Sequence, residues 1–222
     1  MFRDDLKLQL TLDTRLQRVA QMELARQVKK WSAKRGVAMV MDARNGELLA
    51  LTSVPTYDPN QFWRHKPGLF REWSVQDIYE PGSTFKPINI AIGLQEKVLN
   101  ASTLINDTGS LQIGGWPIFN NDKSVYGLID LPTTLQVSSN VAMVKAMQKL
   151  KPAIYWQWLD RIGIGSAPDT DLPGAVSGQL KSRSTFIENP IETATAAFGQ
   201  GLALTPLKVL QLHGMLVNGG KL

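Results

Sequence analysis

Residues 6–12, Leu-Lys-Leu-Gln-Leu-Thr-Leu, alternate apolar and polar side chains with period two, which predicts a half-buried strand. Thr14 and Gln17 then stand at capping-box spacing, the threonine accepting from the third helical amide and the glutamine reaching back. A helix is predicted from there, since Leu16, Val19, Ala20, Leu24, Val28 and Trp31 recur at helical spacing. Gly36, behind Lys34-Arg35, is its predicted stop. Residues 37–42 and 47–53 are apolar runs on either side of Ala43-Arg44-Asn45-Gly46, and Asn-Gly between such runs predicts two adjacent antiparallel strands.

Residues 54–82 are rich in proline, glycine and aromatics without a period, which reads as a long loop of the functional or surface-spanning kind, ending at Ser83. A helix is predicted over 83–98, and the Asn, Gly, Asp and Pro punctuation of 100–131 reads as irregular. Leu131-Pro132 opens another helical pattern, which breaks at Ser138-Ser139-Asn140 and resumes through Val141, Val144, Met147 and Leu150. A short helix over 156–162 ends at Gly163-Ile164-Gly165, residues 166–189 are loop-like, and helices follow over 191–198 and 206–217. There is no internal repeat and no low-complexity tract.

The length, 222 residues, suits one large domain or two lobes sharing a core. With 43% hydrophobic residues and no cysteine, the collagen-like, disordered and disulfide-stapled classes are excluded. Any nucleophile is therefore a hydroxyl, an amine or a carboxylate, while the lack of thiols leaves the compartment open. The net charge of +5 is dispersed, its densest cluster being Lys29-Lys30 with Lys34-Arg35 nearby, so no nucleic-acid partner is expected. No run approaches the about 18 apolar residues of a membrane span, and no apolar stretch follows Met1-Phe2-Arg3-Asp4-Asp5, so the expectation is a soluble chain without span or leader. His65 and His213 are isolated, which argues against a metal site. Gly163-Ile164-Gly165 lacks a third glycine and a preceding strand, which argues against a nucleotide loop, and no cofactor is expected. Trp63, Trp73, Trp116, Trp156 and Trp158 either line a cleft or pack under long loops, and Met143 and Met147 read as core.

Chemistry concentrates at Ser83-Thr84-Phe85-Lys86, behind the turn residues Pro81-Gly82. Positions i and i+3 share a helix face, so the Ser83 hydroxyl and the Lys86 amine can meet as nucleophile and base. Such a lysine takes a proton at neutral pH only if desolvation or neighbouring positive charge lowers its pKa. Backbone amides of the first turn would favour a developing oxyanion beside Ser83. Alone, Ser83 also reads as a helix cap with Lys86 a solvated charge, and Ser138-Ser139-Asn140 as a cap for the helix at Val141. The two motifs in this order are the first two parts of the serine acyltransferase signature S-x-x-K, S-x-N, K-T-G.

Tyr79-Glu80-Pro81-Gly82-Ser83-Thr84-Phe85-Lys86-Pro87 resembles the active-serine motif of class B penicillin-binding proteins, the D,D-transpeptidases that cross-link peptidoglycan. Leu10-Thr11-Leu12-Asp13 with Leu16-Gln17 is similar to that family's entry into the domain, and residues 41–50 to its first hairpin. Gly163-Ile164-Gly165 with Asp171-Leu172-Pro173-Gly174, and Phe198-Gly199-Gln200-Gly201 with Thr205-Pro206-Leu207, extend the resemblance over essentially the whole chain. It implies an α+β fold, an antiparallel sheet flanked by helices plus a mainly helical lobe, with residues 1–222 forming one transpeptidase domain. It further implies that Ser83 attacks D-Ala-D-Ala stem peptides or β-lactams and is acylated, with Lys86 as general base. Ser138 would pass a proton to the leaving amine, and Asn140 would bond the substrate amide and the lysine neighbourhood. Asn140 in third place resembles the division type rather than the elongation type. Implied partners are a glycosyltransferase and divisome proteins, and the implied location is the extracytoplasmic face of the bacterial membrane, with the parent chain anchored there.

The third motif, Lys-Thr/Ser-Gly, is missing, because neither Lys208 nor Lys221 is followed by Thr-Gly or Ser-Gly. The expectation is a domain incomplete at its C-terminus, lacking the strand that supplies one oxyanion donor, a group worth about 3 kcal/mol, and therefore slow or dead. Two rivals stand beside this reading. One is a β-lactamase, with Glu188 or Glu192 as deacylating base; the other is a non-catalytic β-lactam sensor.

Overall fold

The computed structural model describes residues 7–221. Its first helix, α1 (Thr14–Lys30), is capped by Asp13, whose carboxylate accepts from the N–H groups of Arg15 and Leu16. The cap thus lies one residue ahead of the predicted Thr14, because a carboxylate reaches the same orphan amides and also meets the positive end of the helix dipole. Gln17 is not a capping residue. Its side chain bonds a strand, with Nε2 donating to Leu51 O at 2.6 Å and Oε1 accepting from Leu51 N at 2.8 Å. α1 also ends well before Gly36, with Ser32 beyond it at φ 49°.

The strand predicted over 6–12 does not form across 7–12, and Leu6 lies outside the described residues. Leu8 and Leu10 are exposed, and the segment meets the hairpin through Thr11 Oγ1 donating to Leu48 O and Asp13 N donating to Leu49 O. Alternation marks a chain able to present two faces, but a strand also needs a ladder partner.

The predicted hairpin is present. β1 (Gly36–Met41) and β2 (Leu48–Val54) pair antiparallel, with Val37 opposite Ser53 and Val40 opposite Ala50. Gly46, at φ 80°, closes a four-residue turn in which its N–H donates to Asp42 O at 2.8 Å. α1 lies against both strands and the last helix lies against β1. The stretch after β2 contains 3-10 turns at Pro59–Arg64, kinked at Gln61, and at Pro67–Phe70, and a short α2 (Trp73–Gln76), each opened by proline or by the carboxylate of Asp58 or Glu72.

The second lobe begins with a 3-10 turn, Gly82–Phe85, that runs into α3 (Lys86–Gln95). The stretch predicted to be irregular, 100–131, holds four short strands: β3 (Leu104–Asp107), β4 (Ser110–Ile113), β5 (Trp116–Phe119) and β6 (Gly127–Asp130). β3 pairs with β6 and β4 with β5, both antiparallel. Each is four residues long, too short for a period to stand out among glycines that read as punctuation. Then come α4 (Leu131–Gln136), capped by Asp130, α5 (Asn140–Met147), capped by Ser139, and α6 (Pro152–Arg161). A short α7 (Arg183–Glu188) interrupts the loop-like 166–189, followed by α8 (Pro190–Ala196) and α9 (Pro206–Val217). No helix among the described residues is long and apolar enough to cross a membrane.

One core unites this lobe, with Phe85, Ile88, Met143, Leu159, Ile164, Leu204 and Leu212 at 0% exposure. The methionines at 143 and 147 belong to it, as predicted. Asn89 is its polar hub, since Nδ2 donates to Ala196 O and Ala197 O at 2.9 Å and Oδ1 accepts from Tyr155 Oη at 2.8 Å. Three helices, α3, α6 and α8, are thereby fixed to one another through a fully buried amide.

Two substitutions test this arrangement in urea unfolding. Asn89→Ala strands two carbonyls and a phenol in the core and is expected to cost about 3 kcal/mol, whereas Tyr155→Phe, losing a single partner, costs about 1 kcal/mol. Gly199 has φ 78°, and a Cβ there would lie 2.1 Å from Gly82 O. Gly199→Ala meets backbone that cannot yield and is expected to cost at least about 3 kcal/mol, against about 1 kcal/mol for Gly114→Ala, where the same strain meets open space.

Candidate active site

Ser83 is delivered by backbone pairing with a segment more than a hundred residues away in sequence. Tyr79 and Leu204 exchange N–H···O bonds at 3.0 Å, Gly201 N donates to Glu80 Oε1 at 2.9 Å, and Gly82 N donates to Gly199 O at 2.9 Å. The chain then turns into the 3-10 helix, which leaves Ser83 exposed and Phe85 at 0% exposure. Lys86 follows one turn later, its N–H donating to Ser83 O. Phe85 anchors the turn in the core, so the serine side faces outward while the lysine points inward.

Lys86 is only 1% exposed. Its Nζ has three oxygen partners: Ser138 O at 2.6 Å, Asn140 Oδ1 at 2.8 Å and Ser138 Oγ at 3.0 Å. Burial pushes its pKa down to about 8 from the usual 10.5, since removal from water penalises the ammonium. The partners suit both protonation states. An ammonium donates to all three oxygens. A neutral amine donates to the carbonyl and the amide oxygen, which can only accept, and takes the Ser138 hydroxyl proton on its lone pair.

Both oxygens of Ser138 reach Lys86 because of a tight turn between α4 and α5. Ser138 adopts φ 54°, a left-handed conformation that side chains rarely take, and its N–H donates to Leu135 O. Ser139 then caps α5 by accepting from Ala142 N at 2.8 Å. Asn140 is oriented from its other end, as Nδ2 donates to Phe119 O at 3.0 Å. A carbonyl can only accept, so the amide nitrogen must face Phe119 and the amide oxygen must face Lys86.

Ser83, Ser138 and Asn140 share a cleft of about 370 Å³, which Gly82, Asn121, Asp122, Val137, Phe198 and Gln200 complete. Three of the four residues predicted from the two motifs therefore line one cleft, and the fourth, Lys86, is tied to it through its bonds to Ser138 and Asn140. The wall residues Asn121 and Asp122 carried no signal, since in sequence they look like turn punctuation. Phe198 and Gln200 belong to a recognised stretch, but nothing local to it shows that it faces Ser83. Glu188 and Glu192 do not line this cleft, nor does any of the tryptophans. Trp156 bonds Lys181 O, Trp158 bonds Glu96 Oε1, Trp73 stacks under Arg35, and Trp63 and Trp116 are exposed. A larger groove of about 610 Å³ between β1 and α9, lined by Trp73, Asp77, Thr84 and His213 among others, does not include Ser83. Chemically, the cleft offers a hydroxyl at the surface, an amine held from water near its transition point, and a second hydroxyl bonded to that amine.

Comparison with known proteins gives the family. Residues 36–222 match the family model described as penicillin binding protein transpeptidase domain. The chain is 42% identical over 228 residues to the peptidoglycan D,D-transpeptidase FtsI homolog of Chlorokybus atmophyticus, covering 98% of this chain and 34% of that protein. It is 35% identical over 213 residues to the probable peptidoglycan D,D-transpeptidase PenA of Neisseria gonorrhoeae, covering 96% of this chain and 36% of that one. The chain thus spans about a third of the length of these curated relatives. Among solved structures, the transpeptidase domain of Burkholderia pseudomallei penicillin-binding protein 3 superposes with a TM-score of 0.83 at 29% identity, covering 95% of this chain and 58% of that one. A family match over most of the chain, relatives above 30% identity and a shared α+β architecture lead to one conclusion: this chain belongs to the penicillin-binding protein transpeptidase family.

Proposed function

We propose that Ser83 is the nucleophile of a peptidoglycan D,D-transpeptidase and that Lys86, Ser138 and Asn140 complete its catalytic group. The observation that carries this reading is the convergence of Ser138 Oγ and Asn140 Oδ1 on a buried Lys86 Nζ, with Ser138 and Asn140 lining the same cleft as the exposed Ser83. Lys86, as a neutral amine, takes the Ser83 hydroxyl proton on the lone pair that the Ser138 hydroxyl otherwise occupies, while Ser83 Oγ bonds to the carbonyl carbon of the penultimate D-alanine. The C–N bond to the terminal D-alanine then breaks, and the departing amine receives its proton through Ser138 Oγ, leaving an ester on Ser83. An acceptor amine attacks that ester, forms the cross-linking amide and returns the proton to Ser83. With a β-lactam, the broken C–N bond belongs to a ring, so the leaving amine stays tethered and the ester persists.

The division type is the form we favour, supported by Asn140 in the third place of its motif and by relatives named FtsI homolog. On this reading the whole protein acts at the extracytoplasmic face of the membrane, with a glycosyltransferase and other division proteins as partners. Residues 1–222 form a single transpeptidase domain in which no Lys-Thr-Gly or Lys-Ser-Gly occurs, and alone this segment is expected to acylate slowly.

Intact mass after incubation of the full-length protein with benzylpenicillin tests the nucleophile. The expected result is a stable gain of one drug mass that Ser83→Ala abolishes; an adduct surviving that substitution places the chemistry elsewhere. A pH series of the acylation rate tests the base. Only the neutral amine accepts a proton, so the rate should climb about tenfold per pH unit below 8 and level off above it, following Lys86. A flat profile, or a rise centred near 10.5, would contradict the assignment.

A further inference from the structure

Behind the motif loop lies a second polar cluster that the reaction above does not use. Asp107 is 0% exposed, Asn120 2% and Ser139 0%. The carboxyl group of Asp107 accepts from Gly109 N at 2.7 Å, from Asn120 Nδ2 at 3.1 and 2.9 Å, and from Ser139 Oγ at 2.6 Å. Asn120 Nδ2 also donates to Ser124 O at 2.9 Å. Its Oδ1 accepts from the backbone N–H groups of Asn140 at 2.9 Å and Val141 at 3.2 Å, and lies 3.1 Å from Ser139 Oγ.

We propose that Asp107 and Asn120 are positioning residues that set the place and orientation of Ser138 and Asn140 on Lys86; this rests on the catalytic reading above. The bonds from Asp107 to Ser139 and from Asn120 to the backbone of Asn140 and Val141 reach the site. By drawing the Ser139 hydroxyl proton, Asp107 turns the lone pairs of that oxygen toward Ala142 N and so fixes the start of α5. Asn120 holds the backbone of Asn140 itself. It also directly follows Phe119, whose carbonyl selects which end of the Asn140 amide faces Lys86. Ser138 sits between these clamps at φ 54°, a conformation that relaxes unless its neighbours are held. A buried cluster whose members are all satisfied has essentially one arrangement, which suits it to impose geometry on an adjacent strained turn. Residues 107, 120 and 139 share no local motif and meet only through the pairing of the short strands with α5.

The test is single-turnover acylation of the full-length protein by benzylpenicillin, resolved into the dissociation constant of the initial complex and the first-order acylation constant. Asn120→Asp puts a second carboxyl group against Asp107 and removes the donor to Ser124 O. A displacement of about 1 Å at the site is enough for a loss of about 100-fold, so the first-order constant should fall by about that factor while initial binding changes little. The exchanged pair Asp107→Asn with Asn120→Asp restores a donor facing an acceptor and should recover at least about tenfold of the loss. Wild-type acylation in folded Asn120→Asp, a loss that only tracks the unfolded fraction seen by circular dichroism, or an exchanged pair without recovery would overturn the proposal. If Asn120→Asp does not fold, Ser139→Ala removes a single hydroxyl from the cluster and should lower the first-order constant about tenfold with binding retained, and a wild-type rate there overturns it equally. A wild-type protein that is not acylated at all refutes the catalytic reading, and this proposal with it. An acylating wild type with indifferent variants refutes this proposal alone.

Discussion

A lysine nitrogen held out of water among three oxygen acceptors is the interaction to which the rest of this structure answers. Among the described residues Lys86 gains no compensating carboxylate; its partners are a backbone carbonyl, a hydroxyl and an amide oxygen. Neutral acceptors hold an ammonium less firmly than water does, so burial lowers its pKa to about 8. Between that value and 10.5 the unfolded chain binds the extra proton, so stability rises with pH across this window. At neutral pH the buried ammonium costs about 3 kcal/mol relative to a solvated lysine, at about 1.4 kcal/mol for each pH unit. The same penalty makes the amine available to accept a proton near physiological pH. Stability and reactivity at this residue are one quantity seen from two sides.

Holding such a group requires a rigid surround, and the fold supplies it from two directions. From one side, the pairing of residues 79–82 with 199–204 fixes the approach to Ser83, and close contact between Gly82 and Gly199 leaves no room for a side chain. From the other, the turn at Ser138 presents two oxygens, with short strands and the α5 cap behind it. The helices that carry these two halves are joined through Asn89, whose three bonds span α3, α6 and α8. Strain at Ser138 and desolvation at Lys86 are thus borne by a well-packed core rather than by flexible loops.

Much of this was legible in the amino-acid order, for reasons that differ by element. The hairpin carried an Asn-Gly turn between apolar runs, and α9 a twelve-residue helical pattern opened by proline, so local physics determined both. Residues 7–12 misled because alternation describes side chains and not hydrogen-bond partners. The cap predicted at Thr14 gave way to Asp13, whose carboxylate accepts from the first-turn amides. The strands of 104–130 escaped because four residues give too short a pattern. At the site, the two motifs brought Ser83, Lys86, Ser138 and Asn140 forward through the resemblance they carry. Their spacing put Ser83 and Lys86 one turn apart, joined by the bond from Lys86 N–H to Ser83 O, whereas only the tertiary structure shows that both oxygens of Ser138 face the amine. Asp107 and Asn120 had no signal at all, since an aspartate two residues ahead of a glycine and an asparagine in a polar loop are ordinary turn residues until the chain is folded.

The proposed base depends on the protonation state of Lys86, and the direct measurement is an NMR titration of its 13Cε resonance in the full-length protein with selectively labelled lysine, assigned through Lys86→Arg. The structure predicts a single transition centred near pH 8, well apart from the surface lysines. A transition merged with theirs near 10.5 would mean that the amine is solvated, and the buried base described here would not exist.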